Sequence, residues 1–373
     1  MLLESRLAQW AEARGARAPA QAGFRPDHRT TDHIFTLQTL ISQARAHHRP
    51  LYCCFVDFKK AFDSVPRELL WQRLRDADIN GAMLAALQSL YTTVTARAST
   101  PAGLTDPFPC DLGVKQGCPL SPMLFALYID RVAPLITAAD PTAPALAGLT
   151  VALLLYADDL TLLSTTPDGL QSQLDALHSF CLSSQLDVNL AKTEIVVFNP
   201  PRPPRTPTPP AAQLAWQLGG SPVTTTDHYR YLGITFHATK GITTAPARLL
   251  EAGTRALHAM HRRCSELRIG APATMCSLFD SLVAPILSYA CEVWTLAPGT
   301  TKPAAAAKTL HRRLLRRTGG IHHSALNAAV YAEFGRTPLA TKWHHHATSY
   351  FTRLANLPTD RLAHKTLVEA LSL

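Results

Sequence analysis

The chain has 373 residues, 47% hydrophobic and 17% charged, enough to build cores for roughly two to three domains. Its longest apolar stretch, 146–157, is broken by Gly148 and Thr150 and falls short of the roughly 20 residues a membrane span needs. No basic-then-apolar leader opens the sequence. The eight cysteines form neither a C-x-x-C pair nor a regular ladder, so neither a disulfide framework nor a zinc ribbon is expected, and the expected setting is reducing and intracellular. Net charge is +9, unevenly held: residues 238–373 carry 17 Lys/Arg against 7 Asp/Glu, and residues 1–237 carry 19 against 20. That division suits a near-neutral body joined to a polyanion-binding region, with a biased Ala/Arg/Pro-rich composition as the competing reading.

In chain order, Leu2, Leu3, Leu7, Trp10 and Ala11 recur at helical spacing, and a second helix is expected over Thr31–Ala46. The β-rich run Leu51–Phe58 after Pro50 reads as a buried strand. Pro66 suits the first turn of a helix carrying Leu69, Leu70 and Leu74, and Asp63 is placed to cap it. A helix over Gly81–Tyr91, a loop or hairpin over 92–112, and a helix from Ser121 to about Leu135 follow. Val151–Tyr156 and Leu160–Ser164 are apolar runs split by Ala157-Asp158-Asp159, a hairpin with a polar tip. Leu170, Leu174, Leu177 and Cys181 mark an amphipathic helix, and Glu194–Phe198 is a further strand. The order β, α, β, β, α, β is that of a split βαβ sheet with helices on one face. Seven prolines within 200–210 define a polyproline-like insertion over 199–212. Tyr229–Phe236 reads as one short strand, and helices are expected over 246–267, 272–290, 303–317, 325–333 and 338–356.

Asp57 ends an apolar strand, and Asp158 and Asp159 tip an apolar hairpin. Carboxylates beside buried apolar residues are costly unless paired or metal-bound. Hard divalent cations prefer such oxygens, and the fitting chemistry is two-metal phosphoryl transfer. Ordinary hairpin punctuation would also explain Ala-Asp-Asp. His344-His-His346 has no cysteine or carboxylate at ligand spacing and reads as polar surface.

Further motifs decide between these readings. Gln21-Ala-Gly-Phe-Arg25-Pro with Thr30-Thr-Asp32, Phe55-Val-Asp57-Phe-Lys-Lys-Ala-Phe62-Asp63, Gly113-Val-Lys-Gln116-Gly117-Cys-Pro-Leu-Ser121-Pro122, Tyr156-Ala-Asp158-Asp159, Asn189-Leu-Ala-Lys192-Thr193 and Tyr231-Leu-Gly233 occur in that order. The chain resembles the reverse transcriptases of non-LTR (LINE-type) retrotransposons, whose fingers motif and motifs A to E these match. Residues 285–294 and 328–336 are similar to the region after the palm in such elements. A group II intron maturase is the nearest competing retroelement family.

The resemblance implies an α+β right-hand polymerase: partial fingers and a palm with a ferredoxin-like sheet over 1–237, then a helical, basic thumb-like region over 238–373. It implies an RNA template, a DNA primer, a dNTP substrate and two Mg²⁺ ions, or Mn²⁺, with no membrane partner and work in nucleus or cytoplasm. Asp57 and Asp158 would hold the metals, Asp159 would support them, and Lys192 would act on the leaving pyrophosphate. Phe62 stands at the sugar-gate position, Gln116 and Gly117 against the incoming nucleotide, and Arg25 near a phosphate. Tyr231 and Gly233 would form the turn that holds the primer end. Arg312, Arg313, Arg316 and Arg317 share one helical face, suited to duplex phosphates. Family members usually carry more fingers sequence, so a shortened chain is expected, with a catalytically inactive, nucleic-acid-binding remnant as the alternative function.

Overall fold

The computed structural model describes residues 2–101, 103–200, 215–297 and 300–373. Most of the proline-rich insertion expected over 199–212 lies outside the described residues. The chain forms two compact units: Met1–Thr30 with His48–Thr226, and Thr31–His47 with Asp227–Leu373. The division thus falls at 226/227 rather than at 237, and the second unit takes an early helix, Thr30–Ala46.

The first unit is built on a five-stranded sheet. Strand Leu51–Val56 lies at its centre because all six residues are apolar and buried. It pairs antiparallel with Glu194–Phe198 on one side and Asp159–Ser164 on the other. Leu153–Tyr156 pairs with Asp159–Ser164, and Thr224–Thr226 adds a parallel strand beside Glu194–Phe198. Leaving that added strand aside, the four strands lie in spatial order four, one, three, two. This is the split βαβ arrangement expected from the element order.

Helix Pro167–Ser184 supplies Leu170, Leu174, Leu177 and Phe180 to the core that Tyr52, Cys54, Val56, Leu153, Leu155, Leu160, Leu162 and Ile195 share. Thr166 caps this helix, its hydroxyl accepting from the Gly169 N–H at 3.1 Å, which satisfies one of the free donors of the first turn. Ser121–Ala139 is long and apolar enough to cross a membrane by length alone, yet 61% of its most apolar window is buried inside the protein, and Leu124, Phe125, Tyr128 and Ile129 belong to the core.

Two local expectations change. Asp63 does not cap the helix Arg67–Asp76, whose N-cap is Pro66 without a side-chain bond. The run 229–236 is a hairpin of His228–Tyr231 and Ile234–His237 rather than one strand.

The second unit is helical beyond this hairpin. Its long elements are Ala245–Glu266, Pro272–Leu282, Thr301–Gly319, Leu339–Ala355 and Leu362–Ser372, the last of which the sequence pattern did not suggest. Helix Thr30–Ala46 buries Ile34, Leu37 and Ile41. It meets the C-terminal helices through Phe35 against Tyr350 and Phe351, Thr36 Oγ1 against Thr366 Oγ1 at 3.0 Å, and Gln43 donating to Glu369 at 2.8 Å. All eight cysteines are free thiols.

Candidate active site

Sheet register gathers the acids. Val56 stands opposite Leu160 at the end of the ladder; Asp57 follows Val56 and Asp159 precedes Leu160, so both acids lie at the same end of the sheet, close enough for the Asp57 charge to act on Asp159. Tyr156 pairs with Asp159 and closes the hairpin, leaving Ala157 and Asp158 as its two-residue tip. Ala157 takes a φ of 59°. Two-residue hairpin turns require such a positive φ, and a side chain there carries strain that its surroundings must hold.

The three carboxylates repel one another. Burial and the Asp57 charge raise the Asp158 carboxyl above its ordinary value, against a lowering bond from its own backbone. Burial, then the charges of Asp158 and Asp57, push Asp159 up to about 6. Among the described residues no cationic side chain pairs with Asp158 or Asp159. Acid oxygens without counter-charge are the donor type that suits a divalent cation.

Asp57 is held from the other side. Asn189 Nδ2 donates to its carboxylate at 2.9 Å, and the Asn189 N–H donates to its carbonyl at 2.7 Å. The Asp57 N–H donates to Thr193 Oγ1 at 3.2 Å. Lys192 Nζ lies 3.9 Å from Asp57 Oδ2 and is mostly exposed. The Asn-x-x-Lys-Thr segment therefore fixes the first acid and presents one mobile cation beside it. The resemblance assigns no role to Asn189; its place three residues before Lys192 in the Asn-x-x-Lys-Thr segment is the sequence signal for it.

The hairpin tip is clamped by a residue that sequence reasoning passed over. Gln21 is 0% exposed. Its Oε1 accepts from the Ala157 N–H at 2.9 Å and the Gly23 N–H at 2.8 Å, while its Nε2 donates to the Ala157 carbonyl at 3.4 Å and Asp130 Oδ1 at 3.2 Å. Asp130 in turn takes Arg17 Nε and the Ala18 N–H, each at 3.0 Å. The segment also hydrogen-bonds the outer strand, Leu155 N–H to the Ala20 carbonyl and Ala22 N–H to the Leu155 carbonyl. Gly23 has to be glycine, because a Cβ there would sit 2.2 Å from the Ala157 nitrogen.

The remaining residues expected in this unit fall out as follows. Phe62 is half-buried and stacks on Phe125 with ring centroids 4.4 Å apart. Gln116 is exposed and donates to both oxygens of Asp63, at 2.8 and 2.9 Å, so Asp63 ties motif A to motif B. Gly117 adopts a φ of +78° with open space around its absent side chain. Arg25 departs from expectation. It pairs with Glu12 through Nε at 2.9 Å and a terminal nitrogen at 2.6 Å, and donates to the Ala18 and Gln21 carbonyls. Burial alone would raise the Glu12 carboxyl, but the Arg25 bonds and charge outweigh it and hold the group below its ordinary value. Arg25 braces the clamp loop rather than offering its donors to phosphate.

In the second unit, Tyr231 is buried with its hydroxyl 3.3 Å from His33 Nδ1. Leu232 and Gly233 both have positive φ, 44° and 83°, and Tyr289 donates to the Leu232 carbonyl at 2.7 Å. A cleft beside this turn is lined by Arg230, Arg248 and Arg255, a basic group that the charge runs alone did not single out. The four arginines of helix Thr301–Gly319 do not act as one face. Arg313 and Arg317 are exposed. Arg312 is half-buried on Thr309, and Arg316, also half-buried, donates to the Ala325 carbonyl and Asn327, both at 2.9 Å. The division follows from Leu314, Leu315 and His311 facing the core, where His311 stacks on Phe279. Desolvation, with Lys342 next, lowers His311 to about 4, so it is neutral there.

The sequence model of the family described as reverse transcriptase (RNA-dependent DNA polymerase) matches residues 2–236. Over 232 residues the chain is 30% identical to the retrovirus-related Pol polyprotein of the type-2 retrotransposable element R2DM of Drosophila melanogaster, covering 61% of this chain and 22% of that one. It is 27% identical to the corresponding R2 polyprotein of Nasonia vitripennis, covering 54% and 20%. With the RNA-directed DNA polymerase from mobile element jockey of Drosophila funebris it shares 22% over 350 residues, covering 91% and 36%. The chain therefore spans 22% and 20% of the length of the two R2 relatives. Among solved structures it is similar to telomerase from Candida albicans, with a TM-score of 0.45 and 12% identity over 89% of this chain and 55% of that one. The Candida tropicalis telomerase gives 0.48 and 12% over 100% and 54%.

Proposed function

Because the chain belongs to the reverse transcriptase family, we propose that it is an RNA-directed DNA polymerase of a non-LTR retroelement, extending a DNA primer on an RNA template with deoxynucleoside triphosphates. The observation that carries this reading is the register that brings Asp57, one residue past the Val56–Leu160 pair, to the end of the sheet where the hairpin tip holds Asp158 and Asp159. Reverse transcriptases as a family depend on divalent metal, and the carboxylates of Asp57, Asp158 and Asp159 are the hard oxygen donors that would hold it. Two ions held there, Mg²⁺ or Mn²⁺, would supply the charge that lowers the primer 3′-hydroxyl pKa, stabilises the attacked α-phosphate and offsets the leaving pyrophosphate.

The protein's own residues divide the remaining work. Asp57 and Asp158 present the ligand oxygens, and Asp159 supports them. Asn189 keeps Asp57 from rotating, and Gln21 keeps the hairpin tip in its strained turn. Lys192, free to swing from Asp57, serves the departing pyrophosphate as counter-charge or general acid. The Phe62 ring, fixed by Phe125, stands where a ribose 2′-hydroxyl would have to pass. Gln116, aimed by Asp63, and Gly117, whose missing side chain lets backbone approach, face the nucleotide. Tyr231 and Gly233 shape the turn for the primer end, and exposed Arg313 and Arg317 meet duplex phosphates.

The test is primer extension on a poly(rA)/oligo(dT) hybrid. Asp158→Ala should lower extension by about a thousandfold or more, since removing a metal ligand forfeits several kcal/mol of transition-state stabilisation. Extension that survives this substitution overturns the assignment. Salt-sensitive hybrid binding without any extension by the unsubstituted chain supports the inactive remnant instead.

A further inference from the structure

The sequence gives His344, His345 and His346 no partner at ligand spacing, but the fold of the second unit brings one. Helix Cys291–Trp294 packs on helix Leu339–Ala355, with the Trp294 and Trp343 rings edge-on at 5.1 Å. Cys291 Sγ lies 3.7 Å from His346 Nδ1. The Glu292 carboxylate joins them, and one ligand atom from each of the three lies within 4.8 Å of the others. Cys291 is buried, Glu292 half-buried and His346 exposed, so the group opens to solvent on one side. Glu292 Oε2 is buried and has no hydrogen-bond partner among the described residues. A carboxylate oxygen left so is costly unless a cation meets it.

We propose that Cys291, Glu292 and His346 bind one zinc ion, with a fourth position left to water. Sulfur and imidazole nitrogen favour Zn²⁺ over the hard cations suited to the three aspartates. The bound ion would tie together two helices whose ligands lie 55 residues apart, a staple within the second unit rather than part of the polymerase reaction.

Co²⁺ titrated into the chelator-stripped full chain is the probe, since only a thiolate ligand gives a sulfur-to-cobalt charge-transfer absorption. One Co²⁺ per chain should produce that absorption, and equimolar Zn²⁺ should displace it. The thermal midpoint should climb with Zn²⁺ concentration, as binding to the folded state alone requires. Cys291→Ala should abolish the absorption, and Cys110→Ser should keep it. His346→Ala, at an exposed position, and Glu292→Gln should each weaken Co²⁺ by at least about tenfold. No charge-transfer absorption at millimolar Co²⁺ overturns the site. So does an absorption unchanged by both His346→Ala and Glu292→Gln, which would place the metal on another thiol.

Discussion

Gln21 and Asn189 each secure a carboxylate-bearing segment without carrying charge themselves. Gln21→Leu keeps the volume but removes the four hydrogen bonds to Ala157, Gly23 and Asp130, leaving buried backbone groups unpaired at about 1–3 kcal/mol each. Extension kinetics should show kcat falling about 10- to 100-fold with template KM little changed, together with a higher Mg²⁺ requirement. A loss of folded protein alone would lower the apparent kcat but leave the Mg²⁺ requirement unchanged, so the Mg²⁺ titration separates the two. Asp159 gives a pH prediction. Its folded carboxyl sits at about 6 against an ordinary 3.8, so without metal it favours the folded state below 3.8 and loses that contribution as pH rises through 6. Calorimetry should find that Mg²⁺ raises Tm more at pH 7 than at pH 5, and Asp159→Asn should shrink that difference. The acids themselves were legible, since Asp57 and Asp158 end apolar runs inside ordered motifs. Gln21 as a clamp was not, because its partner Ala157 lies 136 residues away. Asp63 misled for the same reason: the nearby helix start offered a local job, while its real partner Gln116 is 53 residues distant.

Among elements, the loop before Gly23 joins the catalytic hairpin to helix Ser121–Ile129. The Arg17–Asp130 pair, with side chains 1% and 6% exposed, is that junction. Arg17→Met should cost about 3–5 kcal/mol, because it strands a buried carboxylate, and urea denaturation measures it. Asp130→Asn with Arg17→Met should recover part of the loss. Gly23→Ala drives a Cβ into the Ala157 backbone, and the expected cost of about 1–3 kcal/mol should come with reduced extension. The strand order was readable because apolar runs and turns alternated cleanly. The 228–237 hairpin was hidden from the apolar pattern, since its turn is only Leu232-Gly233 inside one β-rich run, but the motif Tyr231-Leu-Gly233 implied a turn there and the pairing of Tyr231 with Ile234 agrees. Helix Leu362–Ser372 was missed because one of its buried positions is Thr366, fully enclosed with its hydroxyl on Thr36, where an apolar pattern has nothing to count.

For the whole molecule, the uneven charge has a structural counterpart. Arg317 lies near enough to His261 to help lower its pKa, after desolvation, so the basic runs of helices Ala245–Glu266 and Thr301–Gly319 converge. Reversing Arg313 and Arg317 to Glu should weaken hybrid binding and reduce the slope of log affinity against log salt by about two, roughly one per phosphate contact. Arg312→Ala with Arg316→Ala should instead lower Tm and leave that slope nearly unchanged. Filter binding across a salt series separates the two pairs, which the sequence had placed together by spacing alone.

The discontinuous second unit also sets a timetable for synthesis. Helix Thr30–Ala46 carries Ile34, Leu37 and Ile41 for burial, yet its partners Tyr350, Phe351 and Thr366 follow it by more than 300 residues, 330 in the case of Thr36 and Thr366. At about 5–20 residues per second, the intervening sequence takes on the order of fifteen to sixty seconds to emerge. Through that interval the first unit can assemble while helix Thr30–Ala46 waits for partners not yet translated. A nascent chain halted near residue 226 should therefore hold a chaperone at 31–47, and release it only when the C-terminal helices arrive.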